Sequence, residues 1–311
     1  MEFLGVEASL LPMIAIGFGV GIISGLLGVG GGVLMTPLLF LSGLSLPLAV
    51  GTTLAQMIAS SISGTFKHWR VGNVSWPIVL CFAVPGLLGV IAGKSLLVHF
   101  AKIEGSRDSL SLGYGVFLLI MSFLILRREL SKQKVRQPQR LSAKKSLPGP
   151  RLYLKSIGRE LPVIPFAVFG FSIGVLSGMT GLGGGFFYMP IMVYLFGLSA
   201  SLAVGSSLAI VVATSISGAV SFYTQNLVDV KLAVYLALGS VLGAYLGASL
   251  SHIIAGPRLK LYFAALVLTA GLATILRFLG LQSGALYLLI GSAFLVIVLS
   301  FWDGLKARKD S

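Results

Sequence analysis

The amino-acid sequence predicts an all-α polytopic membrane protein: two inverted-topology repeats with glycine-broken short helices, plus one extra C-terminal transmembrane helix. Three observations carry that prediction. An octapeptide pattern occurs twice, as Gly25-Leu26-Leu27-Gly28-Val29-Gly30-Gly31-Gly32 and as Gly178-Met179-Thr180-Gly181-Leu182-Gly183-Gly184-Gly185. The chain of 311 residues is 56% hydrophobic and only 10% charged, whereas soluble domains carry about 25% charged residues. Its apolar runs approach or exceed about 18 residues, enough to cross about 30 Å of hydrocarbon, and they lack the alternation of barrel strands.

The duplication extends well past the octapeptide. Residues 17–32 and 170–185 share nine identities in sixteen positions at an offset of 153. Downstream the offset is 154, where Ala49-Val50-Gly51-Thr52-Thr53-Leu54-Ala55 meets Ala203-Val204-Gly205-Ser206-Ser207-Leu208-Ala209. Ser61-Ile62-Ser63-Gly64 meets Ser215-Ile216-Ser217-Gly218, and Gly89-x-x-x-Gly93 meets Gly243-x-x-x-Gly247. The chain therefore divides into a first repeat at 1–128, a basic linker at 129–160, a second repeat at 161–282, and an extra helix with its tail at 283–311.

Taken in order, the apolar segments of the first repeat fall near 10–28, 33–45, 48–66, 76–99 and 110–127. Those of the second fall near 162–181, 185–197, 201–223, 231–253 and 260–278, with a last run at 283–302. Five segments per half is an odd number, so the second half enters the membrane upside down, an arrangement common among secondary transporters. The segments 33–45 and 185–197 are 13 residues long, about 20 Å as helix and too short to span. Each directly follows its glycine cluster. Glycine is a poor helix former that accepts backbone angles other residues avoid, so the helix breaks there and resumes as a short piece, either re-entrant or thinly spanning.

Charge placement agrees with this topology. Eleven of the 23 basic residues lie between Arg127 and Arg159, as expected for a cytoplasmic loop. Lys67, Arg70, Arg258, Lys260, Lys306, Arg308 and Lys309 fall on the same side; Lys102 and Arg107, outside, are accompanied by Glu104 and Asp108. The N-terminus carries Glu2 and Glu7 without a basic stretch, so the first run is expected to stay in the bilayer with its N-terminus outside. The basic residues are not interleaved with aromatics for base stacking, so the net charge of +14 points to anionic lipid rather than nucleic acid. Self-association is left open.

The chemistry is carried by the breaks. Broken backbone within hydrocarbon must be buried in protein or line a wet cavity, and matched breaks in both halves point to a transporter's central site. The N-terminus of a resumed helix offers free N–H donors and partial positive charge, suited to an anion. Thr52, Gln56, Ser60 and Gly64 form a stripe on one helix face, with Ser207, Thr214 and Ser217 as counterpart and Ile210 in place of Gln56. Such hydroxyls can line a site or simply bond their own helix. The two GxxxG pairs read as packing faces. The nine acidic residues and three histidines fall at or near segment ends, and Cys81 is the single cysteine. Neither a proton relay, a metal cluster, a nucleophile–base pair nor a phosphate loop is expected, so no enzyme and no cofactor.

The paired GLLGVGGG and GMTGLGGG motifs, each followed by a proline (Pro37, Pro190), resemble the TauE/SafE family of sulfite exporters, also called TSUP membrane transporters. The AVGTTLA and AVGSSLA segments and the two GxxxG helices fit the same pattern. The resemblance covers roughly 10–100 and 165–255, and the linker is longer than the family pattern. It implies a small sulfur anion as substrate: sulfite, or an organosulfonate such as sulfoacetate. The expectation is a secondary exporter of the bacterial inner membrane that holds its anion at Gly28, Gly30, Gly31, Gly32, Thr52, Thr53, Gln56, Gly181, Gly183, Gly184, Gly185, Ser206 and Ser207. An anion channel of the same fold, an ion-coupled importer of an anion such as thiosulfate, and a scaffold acting through the basic linker are the rival readings.

Overall fold

A computed structural model describes residues 2–3, 6–7, 10–103, 106–130, 151–154, 159–250 and 257–309. Most of the basic linker, and the 251–253 end of the run beginning at 231, lie outside the described residues. Eleven helices follow in order: α1 (Leu10–Leu27), α2 (Gly32–Leu41), α3 (Leu46–Arg70), α4 (Trp76–Ala101), α5 (Ser106–Leu130), α6 (Val163–Thr180), α7 (Gly185–Tyr194), α8 (Ala200–Tyr223), α9 (Val230–Leu250), α10 (Pro257–Phe278) and α11 (Gln282–Lys309). Two short antiparallel ladders lie outside the bundle: β1 (Glu2–Phe3) with β2 (Val6–Glu7), and β3 (Arg151–Leu154) with β4 (Arg159–Pro162). Eight of the helices are long and apolar enough to cross a membrane, so the chain is a multi-pass membrane protein.

Local sequence sets the helix starts. Ser45, Ser75 and Ser199 stand in extended conformation just before α3, α4 and α8, and Pro47 and Pro77 occupy first-turn positions where no amide is needed. Asp229 accepts the Leu232 amide at 3.0 Å to open α9, an ordinary N-cap.

Helices in lipid gain no hydrophobic drive toward one another, so close approach depends on small residues. A Cβ at Gly89 or Gly93 would run into the carbonyls of Phe171 and Val175 on α6. One at Gly243 or Gly247 would meet those of Phe18 and Ile22 on α1. Both GxxxG pairs are thus packing faces, and each joins one half to the other: α4 to α6, and α9 to α1.

Those contacts fix the running directions. Gly17, Gly21 and Gly25 of α1 face Leu236, Ser240 and Ala244 of α9 in ascending order, so the two helices are parallel. Thr52 bonds Asp229 and Ser63 bonds Val241, so α3 runs the same way. On the other side Ser206 bonds Ser75 and Ser217 bonds Leu87, making α8 parallel to α4; α6 joins them, since Gly170 meets Phe82 and Gly178 meets Val90. Between the sets the order reverses, with Gly51 against Phe222 and Gly64 against Leu208. Hence α1 and α6, α3 and α8, and α4 and α9 run in opposite directions.

Because α1 and α3 run alike, α2 must bring the chain back between them. Its 10 residues cover about 15 Å, from the middle of α3 to its start. The α1–α2 pair is therefore a hairpin entering from one side, and α6–α7 is its counterpart from the other. α11 lies at the edge, with Tyr287, Phe294 and Trp302 60–75% exposed.

The glycine faces predict an asymmetry in tolerance. Gly243→Ala should lower the thermal midpoint in detergent by the equivalent of about 1–3 kcal/mol. Gly291→Ala on α11, where nothing lies within 4 Å, should stay within about 0.5 kcal/mol. Circular-dichroism melts of both variants check this.

Candidate functional site

Each hairpin turns through three left-handed glycines. Gly28, Gly30 and Gly31 have φ of 70, 84 and 86°, and Gly181, Gly183 and Gly184 have 71, 71 and 75°. An L-residue there costs about 1–2 kcal/mol. Gly32 and Gly185 are helical and needed for another reason. A Cβ on Gly32 would strike the Gly181 carbonyl, and one on Gly185 would stand 2.8 Å from the Gly28 carbonyl. The two breaks therefore touch.

They meet at mid-height of the bundle. Met57, near the middle of α3, places its Cε against both Gly30 and Gly183. Val211, its counterpart in the middle of α8, places Cγ1 2.8 Å and 3.3 Å from Cβ positions at the same two glycines. Met57 is fully buried.

Beyond each break a helix restarts with unused donors. The Gly31 carbonyl accepts Leu34 and Met35 amides at 3.3 and 3.2 Å, and that of Gly184 accepts Phe187 and Tyr188 at 2.9 and 3.0 Å. The amides of Gly30, Gly31, Gly32 and Val33 have no hydrogen-bond partner among the described residues, nor have those of Gly183, Gly184 and Gly185. Some carbonyls have a hydroxyl within reach: Thr36 Oγ1 donates to Gly181 O at 3.3 Å, while Ser207 Oγ divides its one proton between Gly28 O at 2.9 Å and Val204 O at 2.8 Å, and Ser60 Oγ between Gly30 O at 3.4 Å and Met57 O at 3.2 Å. The breaks thus keep bare N–H groups, while several of their C=O groups have a donor within reach. That polarity favours a negative guest.

The hydroxyl and amide stripe separates into two roles. Thr52 Oγ1 accepts the Asp229 amide at 2.9 Å and Ser206 Oγ accepts the Ser75 amide at 3.0 Å; both hold the start of the next half's helix, away from the breaks. Ser207 touches the first break. Thr53 Oγ1 and both amide atoms of Gln56 are fully buried without a partner, on the α3 face that brings Ser60 to Gly30.

Four serines join them that sequence reasoning did not single out. Ser61 Oγ lies 3.2 Å from a Cβ position at Gly30, and Ser24 Oγ 3.7 Å from one at Gly31. Both are wholly buried and unpartnered, as are the hydroxyls of their repeat counterparts Ser215 and Ser177. The signal was present in the sequence: a polar residue kept at the same offset in both halves.

With this geometry in hand, the comparisons with known proteins fall into place. The family described as "Sulfite exporter TauE/SafE" matches residues 13–274. The chain belongs to the TauE/SafE family. Among its relatives is the probable membrane transporter protein YjnA of Bacillus subtilis, 28% identical over 85% of this chain and 99% of the relative. YdhB of the same organism is 26% identical over 85% of this chain and 98% of its own length. MJ0441 of Methanocaldococcus jannaschii, also a probable membrane transporter protein, is 27% identical over 86% and 96%. No solved structure matches the chain. The TauE/SafE match encloses both breaks and ends before α11, the helix that packs only at the edge.

The division of the stripe predicts distinct losses. Thr52→Val should leave the Asp229 amide unsatisfied and destabilise the protein by about 1–3 kcal/mol. Ser24→Ala removes a buried hydroxyl that already lacks a partner and should be neutral or slightly stabilising. Thermal midpoints of the two variants in the same detergent separate these outcomes.

Proposed function

We propose that this protein is a secondary transporter that exports a small sulfur-containing oxyanion, sulfite or an organosulfonate such as sulfoacetate, across the inner (plasma) membrane. The observation that carries the reading is the meeting of two runs of unpartnered break amides beside the orphaned hydroxyls of Ser24 and Ser61. Donors held in place, in a site with little water, replace the hydration an anion loses on entry. Gly28, Gly30–Gly32, Gly181 and Gly183–Gly185 form the cradle, and Thr53, Gln56 and Ser207 are its neighbours on α3 and α8.

In this reading the two halves are inverted-topology repeats, supported by the opposed directions of α1 and α6, α3 and α8, and α4 and α9. The N-terminus lies outside, and the basic linker and the tail are cytoplasmic. The α1–α2 hairpin then enters from outside and the α6–α7 hairpin from the cytoplasm, so rocking one half against the other opens the cradle to either side alternately. The family name supports sulfite as the first substrate to test. The membrane potential suffices as driving force for export. An anion moving outward gains about 2.3 kcal/mol per charge per 100 mV, hence about 4–5 kcal/mol for a dianion, or around a thousandfold in concentration.

Counterflow in proteoliposomes with sulfite, thiosulfate, sulfate, sulfoacetate, taurine and chloride tests this directly. Saturable exchange of a sulfur oxyanion is expected, with little for chloride. Flux that never saturates and shows no exchange would mean a channel, and flux lost on collapsing a sodium or proton gradient would mean a coupled importer. Ser61→Ala should raise the half-saturation concentration about tenfold, the loss of one charge-assisted hydrogen bond of about 1.5 kcal/mol. Removing residues 131–150 should leave exchange intact.

A further inference from the structure

Lys94 has no role in the scaffold that the packing can account for. It sits on the inward face of α4 among Gly86, Val90, Gly93 and Leu97, all buried, and is itself only 6% exposed. Its backbone N lies 2.9 Å from where a Cβ on Gly178 would stand, so it flanks the end of α6, just before Thr180 and the second break. Among the described residues it has no hydrogen-bond or ion-pair partner.

The duplication supplies an internal control. The matching position in α9 is Ala248, fully buried, and its backbone N meets Gly25 of α1 just as that of Lys94 meets Gly178. The equivalent helix pair of the other half therefore packs with a methyl group at this position. Its ammonium is not among the wholly enclosed polar atoms, so the charge keeps some access to the surroundings. The nearer end of α4 is seven residues away and is capped by Lys102, a second cation. Arg277 is a different case, because its guanidinium lies over the Phe40 ring at 3.9 Å. An ionisable residue on the inward face of a spanning helix, without a protein partner, marks the path of a charged guest.

We infer that Lys94 is the fixed positive charge of the transport path and that its counter-charge is the transported oxyanion, a sulfite or sulfonate group. The inference rests on the anion-transport reading above. The break amides provide directional donors of partial charge, whereas Lys94 provides the full charge that discriminates anions from neutral solutes. Only one half carries it, so the path is electrostatically asymmetric.

The experiment uses the full chain in proteoliposomes and in detergent, with sulfite and sulfoacetate as probes. Lys94→Gln and Lys94→Met should raise the half-saturation concentration for exchange tenfold or more, while Lys94→Arg stays within about threefold of wild type. Both probes should raise the thermal midpoint of the wild type and fail to raise that of Lys94→Met, whose midpoint without anion should equal or exceed the wild type's, since the equivalent position packs with an apolar side chain at Ala248. If the wild type exchanges and is stabilised by either probe while Lys94→Gln and Lys94→Met behave identically to it, this inference alone is overturned. If the wild type does neither with both probes, the transport reading fails and takes the inference with it. A fall in the anion-free midpoint of Lys94→Met, with unchanged anion-induced stabilisation in Lys94→Gln, would assign Lys94 a structural role instead.

Discussion

Peptide groups cannot be left bare in hydrocarbon, and the whole bundle is arranged around the two places where this chain breaks that rule. A helix interrupted in lipid exposes N–H and C=O groups at a cost of several kcal/mol each. Here each interruption is covered by the other: Gly32 abuts the Gly181 carbonyl and Gly185 abuts that of Gly28. Ser207, Thr36 and Ser60 reach three of the carbonyls. A run of amide donors at each restarted helix remains. On the proposed reading, the residue of satisfying a structural constraint becomes a chemical preference for negative charge.

That mutual cover requires the halves to be interlocked rather than merely adjacent. α1 packs on α9 and α6 packs on α4, each across the repeat boundary through glycine faces that let backbone meet backbone. Thr52 and Ser206 then tie the third helix of each half to the start of the fourth helix of the other, through the Asp229 and Ser75 amides. A displacement at one hairpin is transmitted to the helices that clasp the other, because packed backbones slide or separate but do not compress. On the proposed reading, such an arrangement lets the centre be exposed to either side in turn.

The copies have diverged at several buried positions. Gln56 stands against Ile210, Met57 against Val211 and Lys94 against Ala248. Met57 and Val211 both reach Gly30 and Gly183, yet an unbranched thioether changes rotamer where a β-branched valine is held. A scaffold with two-fold character has no inherent inside or outside; such substitutions give it one.

Much of this was legible in the sequence. The octapeptide pair, the short segments after Gly32 and Gly185, the odd number of segments per half and the GxxxG faces depend on local rules: glycine's backbone freedom, helix rise and hydrocarbon thickness. They determined that the chain is a duplicated membrane protein with broken helices. What tertiary structure alone decided is which hydroxyls serve the breaks. Thr52 and Thr53 are neighbours in a repeated stripe, but one side chain bonds the Asp229 amide 177 residues away and the other has no partner. Ser24 and Ser61 are repeated in the second half, yet their place beside the breaks, like that of Lys94 beside the end of α6, follows only from what packs next to them. Periodicity reports which residues share a face; it carries no information about the depth at which two hairpins from opposite sides will meet.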